Sequence, residues 1–310
     1  MNEFELIAQL SRSLPGNASV IVGAGDDCAV LDSGQPGRYL LLKTDAVVQG
    51  VHFSATTEPE RIGHKALGRC LIDIAAMAGR PIAALVTMAL PTHFEAPFLQ
   101  RIYDGMSLLA KRHGVAIVGG ETTTNPERLL ISVCVLGDVA ADKCILRSGA
   151  EAGDALFVTG DLGGSLAGKH LEFEPRLAEA RWLADHFAIH AMIDLSDGLA
   201  GDLRHLLRLS NGGAEILAGA IPISRAAKMQ ARTESSARTP LLAALSDGED
   251  FELLFTVAGR VAVPLLDAWK KQFSKTRLSC IGKITSAPGL KLRDKTGLRP
   301  LEAHGYVHFS

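Results

Sequence analysis

The chain has 310 residues, with 32 Lys and Arg against 34 Asp and Glu and a formal charge of −2. With 47% hydrophobic residues it has enough apolar surface to drive folding, which excludes a disordered chain. Without a basic excess it lacks the charge that a nucleic-acid backbone demands, so no nucleic-acid partner is expected. The most apolar stretch, 82–90, is about half of the roughly 20 residues a spanning helix requires, and no membrane partner is expected either.

The length suggests about two domains. The start, MNEFELIAQL, carries Glu3 and Glu5 and no basic cluster, which is not a secretory signal pattern. Apolar runs predict strands at 39–43, 82–90, 115–118, 129–136, 155–159, 251–257 and 278–284. Between them, 61–78 reads as a helix. Ile62, Ala66, Cys70, Ile74 and Ala78 recur every fourth residue, and Leu67, Leu71 and Ala75 widen that stripe, so most of its circumference is buried. A second helix over 96–113 ends at Gly114, and others are expected over 176–187, 197–209 and 261–273. Strands and helices mix without strict βαβ alternation, which favours an α+β fold. The polar, Gly-containing segment 137–153 is the expected boundary, giving domains 1–138 and 139–310. A second polar segment, 233–240, reads as a loop. Cys28, Cys70, Cys134, Cys144 and Cys280 form no CxxC pair; they read as small apolar residues of a protein in a reducing, cytoplasmic compartment.

The informative residues are acids placed on Gly, Ser and Thr turns: GAGDDCAV (23–30), KTDAVVQGVHF (43–53), VGGETTT (118–124), IDLSDG (193–198) and SDGEDFEL (246–253), joined by Asp73 inside the apolar helix. Asp26 and Asp27 fit a turn with Asx hydrogen bonds, or equally a carboxylate pair for a hard cation such as Mg²⁺. Asp73 has apolar neighbours on both sides. A buried, unpaired carboxylate costs several kcal/mol, so it needs either Arg69 one turn back or a metal ion. Asp194 and Asp197 stand where a strand enters a helix; Ser196 or Asp197 suits an N-cap, and such a helix end also receives phosphate. The SDGEDFEL segment contains no Lys or Arg, so its acids read as a solvated turn or as ligands of a cation from elsewhere. Gly119 and Gly120 are a weak phosphate-cradle signal, His52 a candidate ligand contact, and Arg147 a candidate phosphate partner. No P-loop and no protein-kinase signature is present. The combination points to phosphates neutralised by Mg²⁺.

In this order, FELI, GAGDDCAV, the Thr44-Asp45 pair with GVHF, KALGRCLIDIAAMAGRP, GGETT, LRSGAEAGD with VTGDLGGSLAG, IDLSDGLAGDL and DGEDFEL resemble the thiamine-monophosphate kinase family of the aminoimidazole ribonucleotide synthetase-like ATP-binding superfamily. The resemblance covers nearly the whole chain. It implies a two-domain α+β fold whose N-terminal mixed-sheet domain forms a barrel across a homodimer, followed by a C-terminal α+β domain. It implies direct transfer of phosphate from ATP to thiamine monophosphate, with several Mg²⁺ ions and no covalent intermediate. By position it implies Asp27, Thr44, Asp45, Asp73, Glu121, Asp194 and Asp197 as metal ligands, Gly119, Gly120, Arg147 and Ser196 as nucleotide contacts, and His52, Glu249 and Tyr306 as contacts to thiamine monophosphate. Three positions depart from the family pattern. Glu121 stands where Asp is usual, Lys43 where Ser or Thr is usual, and Arg112 or His113 where an aromatic is expected. The alternatives are a related ATP-dependent enzyme acting on another small metabolite, or a nucleotide-binding paralogue without turnover.

Overall fold

The computed structural model describes residues 3–233, 238–302 and 305–306, and they form two compact units. The N-terminal unit comprises 19–144 and the short segment 168–177. The C-terminal unit takes the described residues of 1–18, 145–167 and 178–310, including the opening helix α1 (Glu3–Ser11). Of the loop expected over 233–240, residues 234–237 lie outside the described residues.

In the N-terminal unit, β1 (Val20–Val22), β2 (Ala29–Asp32), β3 (Arg38–Val48), β4 (Arg80–Leu90), β5 (Ala116–Thr124) and β6 (Leu130–Ala140) form a six-stranded sheet in the order β1-β2-β3-β6-β4-β5. All pairs are antiparallel except β4–β5, which α3 (Ala96–His113) connects. Residues 139 and 140, just past the boundary expected from sequence, complete β6. Alternation along the strands separates two faces. Leu41, Val47, Ala84, Val86, Met88, Ile131, Val133 and Val135 are buried on the side of α2 (Pro59–Ala76). The opposite face presents Leu42 and Leu85, 40% and 49% exposed.

The stripe read from the sequence for α2 holds: Ile62, Ala66, Cys70 and Ile74 are all essentially inaccessible. The helix starts two residues earlier because Pro59 occupies its first turn, and it stops at Ala76. Ala78 then turns left-handed, and the Gly79 N–H returns to the Ile74 carbonyl. Helix α3 ends as expected, with Gly114 left-handed (φ 69°) and its N–H on the Ala110 and Lys111 carbonyls. Segment 168–177 is held against these two helices. Phe173 meets the His64 ring edge-on and its carbonyl accepts from His64 Nε2 at 2.7 Å; Glu172 pairs with Arg61. Glu174 pairs with Arg112 and lies 3.0 Å from His113.

In the C-terminal unit, β7 (Asp154–Thr159), β8 (Ile189–Asp194), β9 (Gly213–Leu217), β10 (Leu253–Ala258), β11 (Leu278–Thr285), β12 (Gly289–Asp294) and β13 (Gly297–Pro300) form a seven-stranded sheet ordered β13-β12-β9-β11-β7-β10-β8. Only β12–β9 is parallel. Strand β7 is buried at every position, as a strand covered on both faces must be. On one side Leu156, Val158 and Leu254 join a core with Leu199, Leu203 and Leu206 of α5 (Leu199–Leu209). Phe157 and Phe255 stack on each other, and Trp182 of α4 (Leu177–His186) packs edge-on to Trp269 of the C-terminal helix over Ala262–Gln272. Two helices not expected from sequence, α6 (Arg225–Thr233) and α7 (Pro240–Ser246), precede that final helix, α8. The architecture is α+β with two sheet-rich units.

Candidate functional site: two acidic centres

The acids of the N-terminal unit are brought together by one strand, one turn and one helix. Along β3, Lys43 and Asp45 are two residues apart and share the α2 side of the sheet, whereas Thr44 points the other way. The Thr44 hydroxyl donates to the Val133 carbonyl at 3.2 Å. Its side chain therefore does not join Asp45. The opposed faces follow from the period-2 rule, so strand alternation over 39–48 was the available signal.

Asp73 lies on the α2 face toward β3, and Lys43 Nζ donates to its Oδ1 at 2.9 Å. Arg69, the partner weighed from sequence, instead reaches Asp45 at 3.2 Å. Burial pushes the Asp73 carboxyl up to about 7, with Lys43 opposing and Asp45 and Asp27 adding to the rise. Burial also opposes the Lys43 charge, but Asp73 and then Asp45 more than offset it, and the ammonium is held above its ordinary range. Asp27 is 1% exposed. It follows a turn in which Asp26 Oδ1 accepts the Asp27 N–H at 2.9 Å, and the Cys28 N–H is anchored on the Met77 sulfur at the end of α2. The Asp26 side-chain hydrogen bond expected of this turn is present, with the Asp27 side chain buried.

His52 sits on a tight loop after β3. Its Nδ1 accepts the Val48 N–H at 3.1 Å, which places the proton of the neutral ring on Nε2 as a donor. The loop is held from below by Lys65, fully buried, whose ammonium donates to the His52 carbonyl at 2.6 Å and meets His170 Nδ1 at 2.8 Å. Nothing in the sequence singled out Lys65, because a lysine every few residues on a helix ordinarily marks its wet face. Glu121 stands on exposed edge strand β5, where its Oε1 accepts the Thr122 N–H. Gly120 on that strand (φ 154°) tolerates no side chain, since a Cβ there falls 1.8 Å from the Val86 carbonyl oxygen. Arg112 and His113 both engage Glu174.

In the C-terminal unit the second acidic centre forms where β8 and β10 end side by side, Leu253 opposite Asp194. The Leu195 N–H donates to the Glu252 carbonyl, Phe251 N–H to Leu195 and Glu249 N–H to Ser196. These bonds lock LSD against GEDFE. Glu249 and Phe251 are left-handed, at φ 53° and 50°, a strained backbone of the kind found at functional turns. The N-cap of α5 is Gly198 rather than Ser196 or Asp197; Asp202 accepts the Asp197 N–H instead. Asp202 was missed as a site residue, although it lies within LSDGLAGDL. Burial raises its carboxyl well above the usual range, Asp197 and Asp194 raise it further, and Arg147 lowers it, which places Arg147 within electrostatic reach of this centre. The Tyr306 N–H donates to the Asp197 carbonyl at 2.8 Å.

The rest of SDGEDFEL is not a solvated turn. Both Asp250 oxygens accept the Gly163 N–H at 3.0 Å and Asp247 accepts that of Gly164. Glu252 accepts from the Thr159 hydroxyl at 2.8 Å. Three of its acids therefore bind the VTGDLGG loop; the fourth, Glu249, is half-buried.

The donor sets suit a hard cation. Asp27, Asp45 and Asp73 in one unit and Asp194, Asp197 and Asp202 in the other are oxygen donors. The soft donors Cys28 and Cys70 are buried, and burial, with the nearby acids, pushes both thiols well up, so they remain protonated. The residues fit Mg²⁺, although Lys43 and Arg69 already occupy oxygens of Asp73 and Asp45.

The family model described as AIR synthase related protein, N-terminal domain, matches residues 25–139. The thiamine-monophosphate kinase of Rhodopirellula baltica is 42% identical over 96% of this chain and 93% of its own length, and that of Bacillus subtilis is 32% identical over the full length of both. The chain belongs to the thiamine-monophosphate kinase family. Among solved structures, AaThiL complexed with AMPPCP and TMP superimposes with a TM-score of 0.85 at 30% identity, covering 99% of this chain and 97% of that one. The hydrogenase maturation protein HypE of Escherichia coli, 21% identical with a TM-score of 0.73, shares the fold.

Proposed function

We infer that this protein transfers the γ-phosphoryl group of ATP to thiamine monophosphate, giving thiamine diphosphate and ADP. The carrying observation is the similarity to thiamine-monophosphate kinases through both units, 42% over 96% of the chain. An oxygen of the thiamine monophosphate phosphate forms the new bond to the γ-phosphorus while the bond to the ADP oxygen breaks, in line. Asp27, the Thr44 carbonyl, Asp45, Asp73 and Glu121, with Asp194 and Asp197, are the proposed Mg²⁺ ligands. The bound Mg²⁺ ions supply charge neutralisation along the phosphates. Gly119, Gly120, Arg147 and Ser196 are the nucleotide contacts; the bare backbone of β5 at Gly120 supports this, since it admits close approach. His52 Nε2–H donates to a substrate phosphate oxygen, a role supported by the Val48 bond that fixes its tautomer. Glu249 and Tyr306 contact the thiamine moiety, supported by their shared attachment to Ser196 and Asp197.

The open sheet face with Leu42 and Leu85, continued by exposed Val118 on β5, supports a homodimer built by packing two such faces, as in a barrel closed across two copies. A contiguous apolar sheet face needs a cover, and a second copy supplies one of matched shape. A cytoplasmic location completes the proposal; among the described residues no helix is long and apolar enough to cross a membrane.

The test is chromatographic. Purified protein with Mg²⁺, ATP and thiamine monophosphate is expected to form thiamine diphosphate, and omission of Mg²⁺ to abolish it. Absence of product from folded protein overturns the assignment. The Lys43–Asp73 pair favours a second reading, a nucleotide-binding paralogue, which predicts Mg-ATP binding with no product; an enzyme for another metabolite predicts ATP turnover only with that acceptor.

A further inference from the structure

We propose that the Lys43 ammonium is a built-in cation of the N-terminal acidic centre, standing where a divalent ion would otherwise bind, so that this chain holds one fewer divalent ion than its carboxylates could. The inference rests on the Mg²⁺ reading of those carboxylates.

The geometry carries it. Strand alternation puts Lys43 on the same face as Asp45, and its ammonium reaches Asp73 Oδ1 at 2.9 Å. The pair is enclosed, with side-chain exposures of 21% and 6%. Lys43 is thus not a surface lysine that swings between partners. Its stem is packed and its head is aimed at a carboxylate on another element, 30 residues away. Of the cationic side chains, lysine is the one that most resembles a small ion, a compact point charge with freely oriented donors. Arg69 on Asp45 at 3.2 Å lies nearby, so both carboxylates have cations supplied by the chain. Oδ1 of Asp73 is engaged by Lys43 and Oδ1 of Asp45 by Arg69.

Removing one partner of such a buried pair leaves an uncompensated charge, strongly unfavourable unless another cation replaces it. A serine at 43 returns a hydroxyl and removes the ammonium from Asp73, which leaves Oδ1 to a divalent ion. The consequence is a trade. The wild type is ordered at this centre without divalent ions, and the Lys43→Ser protein depends on them.

The experiment counts ions. Mn²⁺ is titrated into wild-type, Lys43→Ser and Lys43→Arg proteins, with and without AMPPCP, and free Mn²⁺ is read by electron paramagnetic resonance. The expected result is one additional Mn²⁺ per chain for Lys43→Ser and the wild-type count for Lys43→Arg. Melting is followed in parallel: Lys43→Ser is expected to melt below the wild type in chelator and to recover with Mg²⁺. Equal counts in wild type and Lys43→Ser overturn the proposal. So does failure of both Lys43→Ser and the stem-preserving Lys43→Met to fold at saturating Mg²⁺, because a divalent ion then cannot take the ammonium's place. Should the wild type make no thiamine diphosphate, the functional assignment falls, while the nucleotide-free counts still decide the role of Lys43.

Discussion

Asp202 is buried beside Asp197 and Asp194, and burial together with those charges raises its carboxyl well above the ordinary value. A carboxyl raised on folding contributes stability that is complete below the unfolded value and is lost as pH rises through the folded one. Asp202→Asn keeps an oxygen for the Asp197 N–H and carries no charge. In the absence of divalent ions it is expected to raise the melting temperature at pH 8, with the gain shrinking toward zero near pH 3, below the unfolded value of about 3.9, where the wild-type carboxyl is mostly protonated in both states; calorimetry at the two pH values checks this. Added Mg²⁺ is expected to narrow the difference, since it relieves the same repulsion. At this scale the acids on Gly and Ser turns stood out, as did Asp73 among its apolar neighbours; Asp202, inside an ordinary amphipathic helix, did not. The cations on Asp45 and Asp73 were not legible either. Asp73 had Arg69 one turn away in sequence, yet Arg69 serves Asp45 and the strand lysine serves Asp73.

Helices α2 and α3 meet through glycine. A Cβ on Gly63 falls 1.9 Å from the Ile102 carbonyl oxygen, and one on Gly105 falls 2.0 Å from that of Glu60. Backbone touches backbone, so neither helix can yield by a rotamer change. Alanine gains about 1 kcal/mol in helix propensity over glycine, but overpacking costs about 1–3 kcal/mol and occasionally more; with backbone on both sides the cost lies at the upper end, and the second term wins. Gly63→Ala and Gly105→Ala are each expected to lower the melting temperature by several degrees, while an exposed control, Lys111→Ala, leaves it unchanged. The sequence revealed the lengths of α2 and α3 to within two residues, and the periodicity of α2 its buried stripe. It did not reveal α6 or α7, short helices stabilised by their neighbours rather than by a stripe of their own. Nor did it reveal that segment 168–177 belongs with the N-terminal unit, since the partners of Glu172, Phe173 and Glu174 lie about 60 to 110 residues away and leave no local pattern.

For the whole molecule, the sheet face bearing Leu42 and Leu85 governs assembly in the dimer proposed above. Sedimentation of the wild type at micromolar concentration is expected to give two copies, and Leu85→Glu one, because a charge on each of two apposed faces meets its like in a dry interface. What the sequence by itself determined was local chemistry: α+β alternation, the buried stripe of α2, the helix stop at Gly114, and acids on turns with no P-loop. Each depends on residues within a few positions of one another, where propensity and periodicity operate. What only the tertiary structure decided was the pairing. Lys43 neutralises Asp73, the Thr44 hydroxyl turns to Val133, Asp250 and Asp247 bind the loop at Gly163 and Gly164, and Lys65 supports the His52 loop. These contacts join elements distant in the chain, and they are set by strand register and helix rotation, which no residue encodes alone.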